Sequence, residues 1–275
     1  MEVAHAIFGC FLTLSVCLLC FVQLKGLSAL TAHGKVAQNR TLIDTSWFAK
    51  LINAVAGLTV PKAWFSHFYV LYLLLMWGQL LNDPYTILSN GKYLLVWLFL
   101  TCQATRRLYE SYHVTRWGNA SRMHVSHYFL GLGFYMGVSI ICFCGLQSHH
   151  GDSGNGVTGT GFFWTLLLVA VFAIFQLDQY RNHKHLAALV KYSVPKKGLF
   201  SLVSSAHYCD EILIYFTVVL LAFTRGHVIA EDWALLSIWI FVVINLSISA
   251  LETHSYYLTK FEDFHLRYAI IPGIL

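Results

Sequence analysis

The chain has 275 residues, of which 57% are hydrophobic and 11% charged. A soluble domain carries about 25% charged residues, so these few charges cannot cover a water-facing surface of this size, and a separate soluble domain is excluded. The balance of 18 Lys and Arg against 13 Asp and Glu leaves +5, which points to no nucleic-acid partner and takes its meaning from where the charges fall.

The first apolar run covers residues 6–22. Its flank, Met1 to His5, lacks Lys and Arg, and Lys25 is the first basic residue. That arrangement predicts an uncleaved anchor with its N-terminus away from the cytosol. Six further runs follow, giving seven expected spans at about 5–24, 64–81, 91–107, 125–146, 160–178, 211–224 and 233–252. The fold class is therefore all-α: one polytopic membrane domain, residues 1–275, with seven transmembrane helices.

Charges alternate along these spans. All Lys and Arg except Lys92 and Arg225 lie in the first, third and fifth connections or in the tail. Under the positive-inside rule these segments face the cytosol and the N-terminus faces the lumen. Asn39 and Asn119 sit in N-x-[ST] sequons on the cytosolic side, so neither is expected to carry a glycan. Residues 147–160 form a Gly/Ser-rich lumenal loop. Trp64, Trp77, Trp164 and Trp233 fall at span ends as interfacial anchors.

Four polar groups stand where apolar residues would be cheaper. In VPKAWFSHFY (60–69), Pro61 starts a helix and His67 lies inside the second span, as a packing residue or a reactive one. In QATRRLYE (103–110), Arg106 and Arg107 can each share a helix face with Glu110. They read either as snorkelling anchors or as phosphate-binding guanidiniums. In 176–211, Gln179 and His183 are one turn apart, as are His207 and Glu211, and Ser205 is placed to cap the second pair's helix. Lys196, Lys197 and Tyr192 add charge and an aromatic ring suited to a nucleotide. In 250–275, His254 and Tyr257 share a face, and the tail reads as ordered.

Other chemistries leave no signature. There is no P-loop, no GxGxxG after a strand and no HExxH. The seven cysteines lack paired CxxC spacing and read as membrane-buried thiols. The 14 histidines do not form the repeated boxes of di-iron desaturases. No metal is expected.

Four ordered strings carry a resemblance: VPKAWFSHFY, QATRRLYESYHV, YSVPKKGLFSLVSSAHYCDEILIY and HSYYLTKFEDFHLRYAIIPGIL. From residue 60 to 275 the chain resembles the polyprenol reductase branch of the steroid 5α-reductase family. Residues 176–275 resemble the C-terminal domain shared by the whole family. The resemblance implies seven transmembrane helices, NADPH as cofactor and reduction of a carbon–carbon double bond.

It also implies roles. Glu211, Tyr192, His254, Tyr257 and Arg106 fall at positions resembling cofactor-site or catalytic residues. Gln179 and His183 stand where steroid-reducing members carry Asn and Asp, His207 where many carry Asn, and Ser193 where they carry Arg. No adjacent Gln-Glu pair like that of the steroid members occurs in the first connection, which argues against a steroid substrate.

The implied substrate is a polyprenyl lipid, reduced at its α-isoprene unit for dolichol synthesis and protein N-glycosylation in the endoplasmic reticulum membrane. No obligate protein partner is evident. Hydride addition to an isolated alkene leaves an unstabilised carbanion, whereas in an enal the charge moves to a carbonyl oxygen that a donor can stabilise. The aldehyde, polyprenal, is therefore the expected immediate substrate, with polyprenol as the other possibility. His67 or His254 is expected to polarise that oxygen, with Tyr257 beside them. Arg106, Arg107, Lys196 and Lys197 would hold cofactor phosphates. Three other functions fit the same spans: reduction of a steroid or other enone, isoprenylcysteine-type methylation with S-adenosylmethionine, and a non-enzymatic receptor or transporter.

Overall fold

A computed structural model describes residues 2–23, 57–118, 120–148, 159–189, 193–225, 227–265 and 268–274. Tyr192 and both sequons' asparagines lie outside these residues, as does most of the expected 147–160 loop. Helix α1 runs Glu2–Gln23. A short strand β1, Thr59–Pro61, leads through a 3-10 turn, Lys62–Phe65, into α2, Ser66–Asn82. Helices α3, Pro84–Ser89, and α4, Gly91–His113, follow. Strand β2, Arg122–His124, precedes α5, Val125–Ser148. The remaining helices are α6, Gly159–Ala188, α7, Ala206–Thr224, and α8, Ala230–Lys260.

Each expected span coincides with a long helix, but the count differs. Among the described residues six helical stretches are long and apolar enough to cross a membrane: Glu2–Cys20, Lys62–Asn82, Val125–Ser148, Gly161–Ala188, Ala206–Thr224 and Ala230–Lys260. The chain is thus a multi-pass membrane protein, and its described residues hold six such helices. The expected third span is the first part of α4, whose last two turns carry Arg106, Arg107 and Glu110. Two boundaries also move. The helix expected from 211 starts at Ala206, and the one expected from 233 starts at Ala230 and runs on to Lys260. Asp210, Glu231 and Asp232 in the added first turns are buried against neighbours, so an apolar run underestimates the helix start, whereas Ser255, Thr259 and Lys260 in the last turns of α8 are exposed.

Local chemistry sets the helix starts. Asp83 accepts from the Thr86 amide at 3.1 Å with Pro84 in the first turn, and Asn90 accepts from the Tyr93 amide at 3.0 Å, each satisfying an otherwise orphan donor. Ser205 does stand at the head of α7, but its hydroxyl caps nothing. The backbone is held instead by Ser205 N donating to Ala269 O at 3.0 Å. Gly198 opens the 3-10 turn Gly198–Ser201 with φ 60°, a conformation that a side chain disfavours.

The helices pack as an antiparallel bundle whose alternate ends meet. At one end β1 pairs antiparallel with β2, Thr59 opposite His124, and Lys62 N donates to Ser121 O. The tail docks at the same end. Val203 bridges to Tyr268, and Ala269 and Ile270 are buried, as expected of an ordered tail. Phe200, Val203 and Ala206 form a small satellite core there. At the opposite end, Asn90 donates to the carbonyls of Gly145 and Leu146, and Lys92 pairs with Asp232 at 2.6 Å. Gly145 is required for that meeting, because a Cβ there would stand 2.0 Å from the Tyr93 ring. Mid-bundle, Phe11 of α1 packs edge-on against Phe134 of α5 and Phe241 of α8. The four tryptophans expected at interfaces are all exposed.

Candidate functional site

Three helices bring the polar residues together. Arg106, Arg107 and Glu110 come from the last turns of α4, Gln176, Gln179 and His183 from α6, and His207 and Glu211 from the first turns of α7. The i, i+3 and i, i+4 spacings read in the sequence are realised. Glu110, fully buried, pairs with Arg106, and with Arg107 at 2.6 Å. His183 Nδ1 lies 2.7 Å from Glu110 Oε2 and 2.9 Å from Arg107 Nη1. The ring therefore donates to the carboxylate or accepts from the guanidinium, depending on its tautomer. Burial by itself would push the Glu110 carboxyl up. The hydrogen bond and charge of His183 and the two guanidiniums outweigh it and hold the group down at about 2.

The two adjacent arginines do different things. Arg106 spends its donors on Gln176, Glu110, Gln103 and Gln179. Every arm of its guanidinium is occupied by protein, so it ties α4 to α6 in this arrangement. Arg107 turns the other way. Its Nε donates to the Tyr69 hydroxyl at 3.1 Å, and its guanidinium lies 5.5 Å from the centre of that ring. Glu211 accepts from Gln103 at 2.9 Å and from Gln179, whose amide also donates to His207 O.

One face of this network opens on a half-open cavity of about 210 Å³ lined by α2, α4, α5, α6, α7 and α8. Its polar end is formed by Arg107, Gln179, His183, His207 and Glu211. Its apolar end is formed by Phe68, Leu130, Phe134, Phe241 and Leu246. A row of tyrosines, Tyr69, Tyr135 and Tyr215, runs between them. His207 Nδ1 is buried here with no hydrogen-bond partner among the described residues. An unpaired buried acceptor or donor is costly, and a bound polar ligand would satisfy it. Amide, carboxylate and imidazole groups together suit the carboxamide of a nicotinamide, so the polar end fits such a cofactor. Lys62 lines the cavity, two turns above Tyr69 in sequence, and adds a cation on that wall.

Other expected residues stand apart. His67 is exposed on α2, 3.1 Å from the Tyr128 hydroxyl and packed on Trp64, outside the cavity. His254 meets the Ser204 hydroxyl at 3.1 Å, and both His254 and Tyr257 pack on Phe264. They form a second group beneath the docked tail. Tyr208, which lines the cavity, follows His207 on the helix between these groups. Lys196 and Lys197 are exposed in the loop before α7, and Ser193 is exposed beside them. Among the described residues no group of three or more His, Cys, Asp or Glu side chains could hold a metal ion, and the cysteines are free thiols.

Sequence reasoning missed Gln103, Gln176, Tyr69 and the tyrosine row. The first two stand within apolar helices, where an amide costs free energy unless paired, and that cost was a usable signal. A tyrosine in such a helix gives no comparable signal, because its ring is at home there.

Residues 156–275 match the family described as 3-oxo-5-alpha-steroid 4-dehydrogenase. The chain is 36% identical over 256 residues to polyprenal reductase of Saccharomyces cerevisiae, covering 93% of this chain and 89% of that protein. It is 28% identical over 320 residues to polyprenal reductase 1 of Oryza sativa subsp. indica, covering 90% and 88%. It is 29% identical over 266 residues to polyprenal reductase of Drosophila melanogaster, covering 80% and 78%.

Proposed function

We propose, from the premise that the chain belongs to the steroid 5α-reductase family and to its polyprenal reductase branch, that it is an NADPH-dependent oxidoreductase reducing the α-isoprene double bond of polyprenal to give dolichal. The observation that carries this reading is the cavity's two-ended character: an apolar chamber among membrane helices, closed at one end by amide, imidazole and carboxylate groups. Its volume is below the roughly 300–1,000 Å³ of ordinary ligand pockets. It suits the reacting end of a long lipid while the bilayer holds the tail.

Bound at the polar end, the cofactor supplies hydride. Glu211 and Gln179, already joined through their side chains, hold its carboxamide, with His207 and His183 flanking them. Lys62, Lys196 and Lys197 supply cations toward its phosphates. Arg107 and Glu110 fix the wall between α4 and α6, and burial excludes water from the reacting carbons. The same reading places the enzyme in the endoplasmic reticulum membrane, N-terminus lumenal and C-terminus cytosolic, where its product feeds dolichol-linked protein N-glycosylation.

The test supplies purified protein with NADPH and either polyprenal or polyprenol, and follows saturated products by mass spectrometry. Dolichal from polyprenal alone is the expected result. Dolichol from polyprenol alone would keep the reductase and discard the aldehyde. No turnover by folded protein would sink the reading. Glu211→Gln is expected to raise the KM for NADPH roughly ten- to hundredfold, since a hydrogen bond to a charged group is worth about 1.5–3 kcal/mol. An unchanged KM would remove Glu211 from the cofactor site.

A further inference from the structure

We propose that Tyr69 is the acid of this reaction, donating its hydroxyl proton to the substrate carbonyl oxygen while Arg107 holds the phenolate left behind. The inference rests on the reduction of an enal proposed above. Such a reduction needs a donor aimed at the oxygen where charge develops, within hydrogen-bond reach of a substrate in the cavity. The histidines that sequence suggested for this task face elsewhere: His67 turns to Tyr128 and Trp64, and His254 to Ser204 and Phe264.

Inside the cavity several polar donors are already engaged. Gln179 donates to His207 O and Glu211, and Arg107 Nη1 lies on Glu110 and His183. Tyr69 is in a different position. It is 1% exposed, lines the cavity, and its oxygen accepts from Arg107 Nε at 3.1 Å. A phenol has one hydrogen to give and two lone pairs. With a lone pair committed to a cation, the hydrogen points away from Arg107, toward the cavity side where the Tyr135 hydroxyl lies within hydrogen-bonding reach and a substrate oxygen would compete for it. After transfer, the charge-assisted hydrogen bond from Arg107 becomes an ion pair with the phenolate, in which donor and acceptor are both charged. Tyr135 adjoins Tyr69 and Tyr215 along the same wall, extending the row of hydroxyls. Lys62 is the other cation on this wall. It stands in the 3-10 turn before α2, beside the strand pair, where its amide donates to Ser121 O.

The step balances as one hydride and one proton. Hydride from the reduced nicotinamide bonds to Cβ. The Cα=Cβ pair moves to join Cα to the carbonyl carbon, and the carbonyl π pair moves to oxygen. The Tyr69 O–H bond breaks and its proton bonds to that oxygen. The resulting enol then takes a proton at Cα from solvent water and returns the oxygen's proton to the phenolate, restoring Tyr69 and giving the saturated aldehyde; the one net proton comes from water. Arg107 is a positioning residue throughout.

The experiment compares wild type with Tyr69→Phe on polyprenal and on a nitroalkene bearing the same isoprenoid tail, with NADPH affinity measured separately by fluorescence. A nitroalkene stores the incoming charge on its own nitro group and needs no acid at oxygen. Tyr69→Phe is expected to lower kcat on polyprenal by about 100-fold or more, the range for general acid catalysis. Nitroalkene reduction and NADPH affinity should stay within about threefold of wild type, far smaller than that effect. Aldehyde turnover retained by Tyr69→Phe would overturn the proposal. Equal loss of both substrates and of NADPH binding would also overturn it, leaving Tyr69 a structural residue. Failure of wild type itself to reduce polyprenal would instead strike the proposed function, and this inference would fall with it.

Discussion

Glu110→Gln is expected to lower stability by about 3–5 kcal/mol, the range for breaking a buried ion pair from one side. The carboxylate is fully buried and shared by Arg106, Arg107 and His183. The neutral amide keeps the shape but takes away the carboxylate that both guanidiniums touch, leaving Glu211 as the remaining counter-charge near Arg107. Desolvating a charge without a partner is what makes the loss large. The consequence reaches beyond stability, because Arg106 joins α4 to α6 and Arg107 supports Tyr69 at the cavity wall. Thermal unfolding in detergent should show a clearly lowered midpoint, with reduced yield of membrane-inserted protein. A variant that melts with wild type would mean that the arginines find other partners and that Glu110 is not the centre of the framework.

At the opposite end of the bundle, Asp232→Ala and Lys92→Met are expected to differ, although they break the same ion pair. Asp232 is fully buried and serves three donors: Lys92 at 2.6 Å, the Tyr93 hydroxyl at 2.9 Å and the Ile229 amide at 2.8 Å. Removing it strands a buried ammonium, a phenol and a helix-start amide together. The expected cost is about 3–5 kcal/mol. Lys92→Met leaves Asp232 with its other two donors but without its counter-charge, so the cost falls to the low end of that range, about 3 kcal/mol. Lys92 also donates to His227 O at 3.1 Å, a bond that cannot replace the lost carboxylate. The comparison is made by thermal unfolding of both variants. Equal midpoints would show that the ion pair alone, and not the carboxylate's three-way role, holds this end.

Much of the architecture was legible because it is local. A run of about 20 apolar residues is a helix in lipid wherever it sits, since the backbone must satisfy its own hydrogen bonds. The positions of seven long helices followed from that rule. So did the pairing of Arg106 and Arg107 with Glu110, because helical spacing puts them one turn apart. The number of membrane-crossing helices did not follow so cleanly. Helix α4 begins as a span and ends in a buried charge cluster, and hydropathy cannot distinguish a charge facing water from one facing a neighbouring helix.

The site was legible only in part. Gln179, His183, His207 and Glu211 line one cavity. His67 stood out as an intramembrane histidine and His254 as part of the polar 250–275 segment, yet they stand in separate groups. Tyr69, two residues from His67 in the same motif, faces the cavity instead. Two residues along a helix turn a side chain by about 200°, so neighbours in sequence point to opposite sides. The sequence by itself determined helix positions, charge alternation and the polar residues worth pairing, because each depends on composition over one or two turns. Only the tertiary structure decided that Arg106 binds α6 while Arg107 reaches Tyr69, and which groups enclose the cavity, because those depend on the rotation and crossing of helices far apart in the chain.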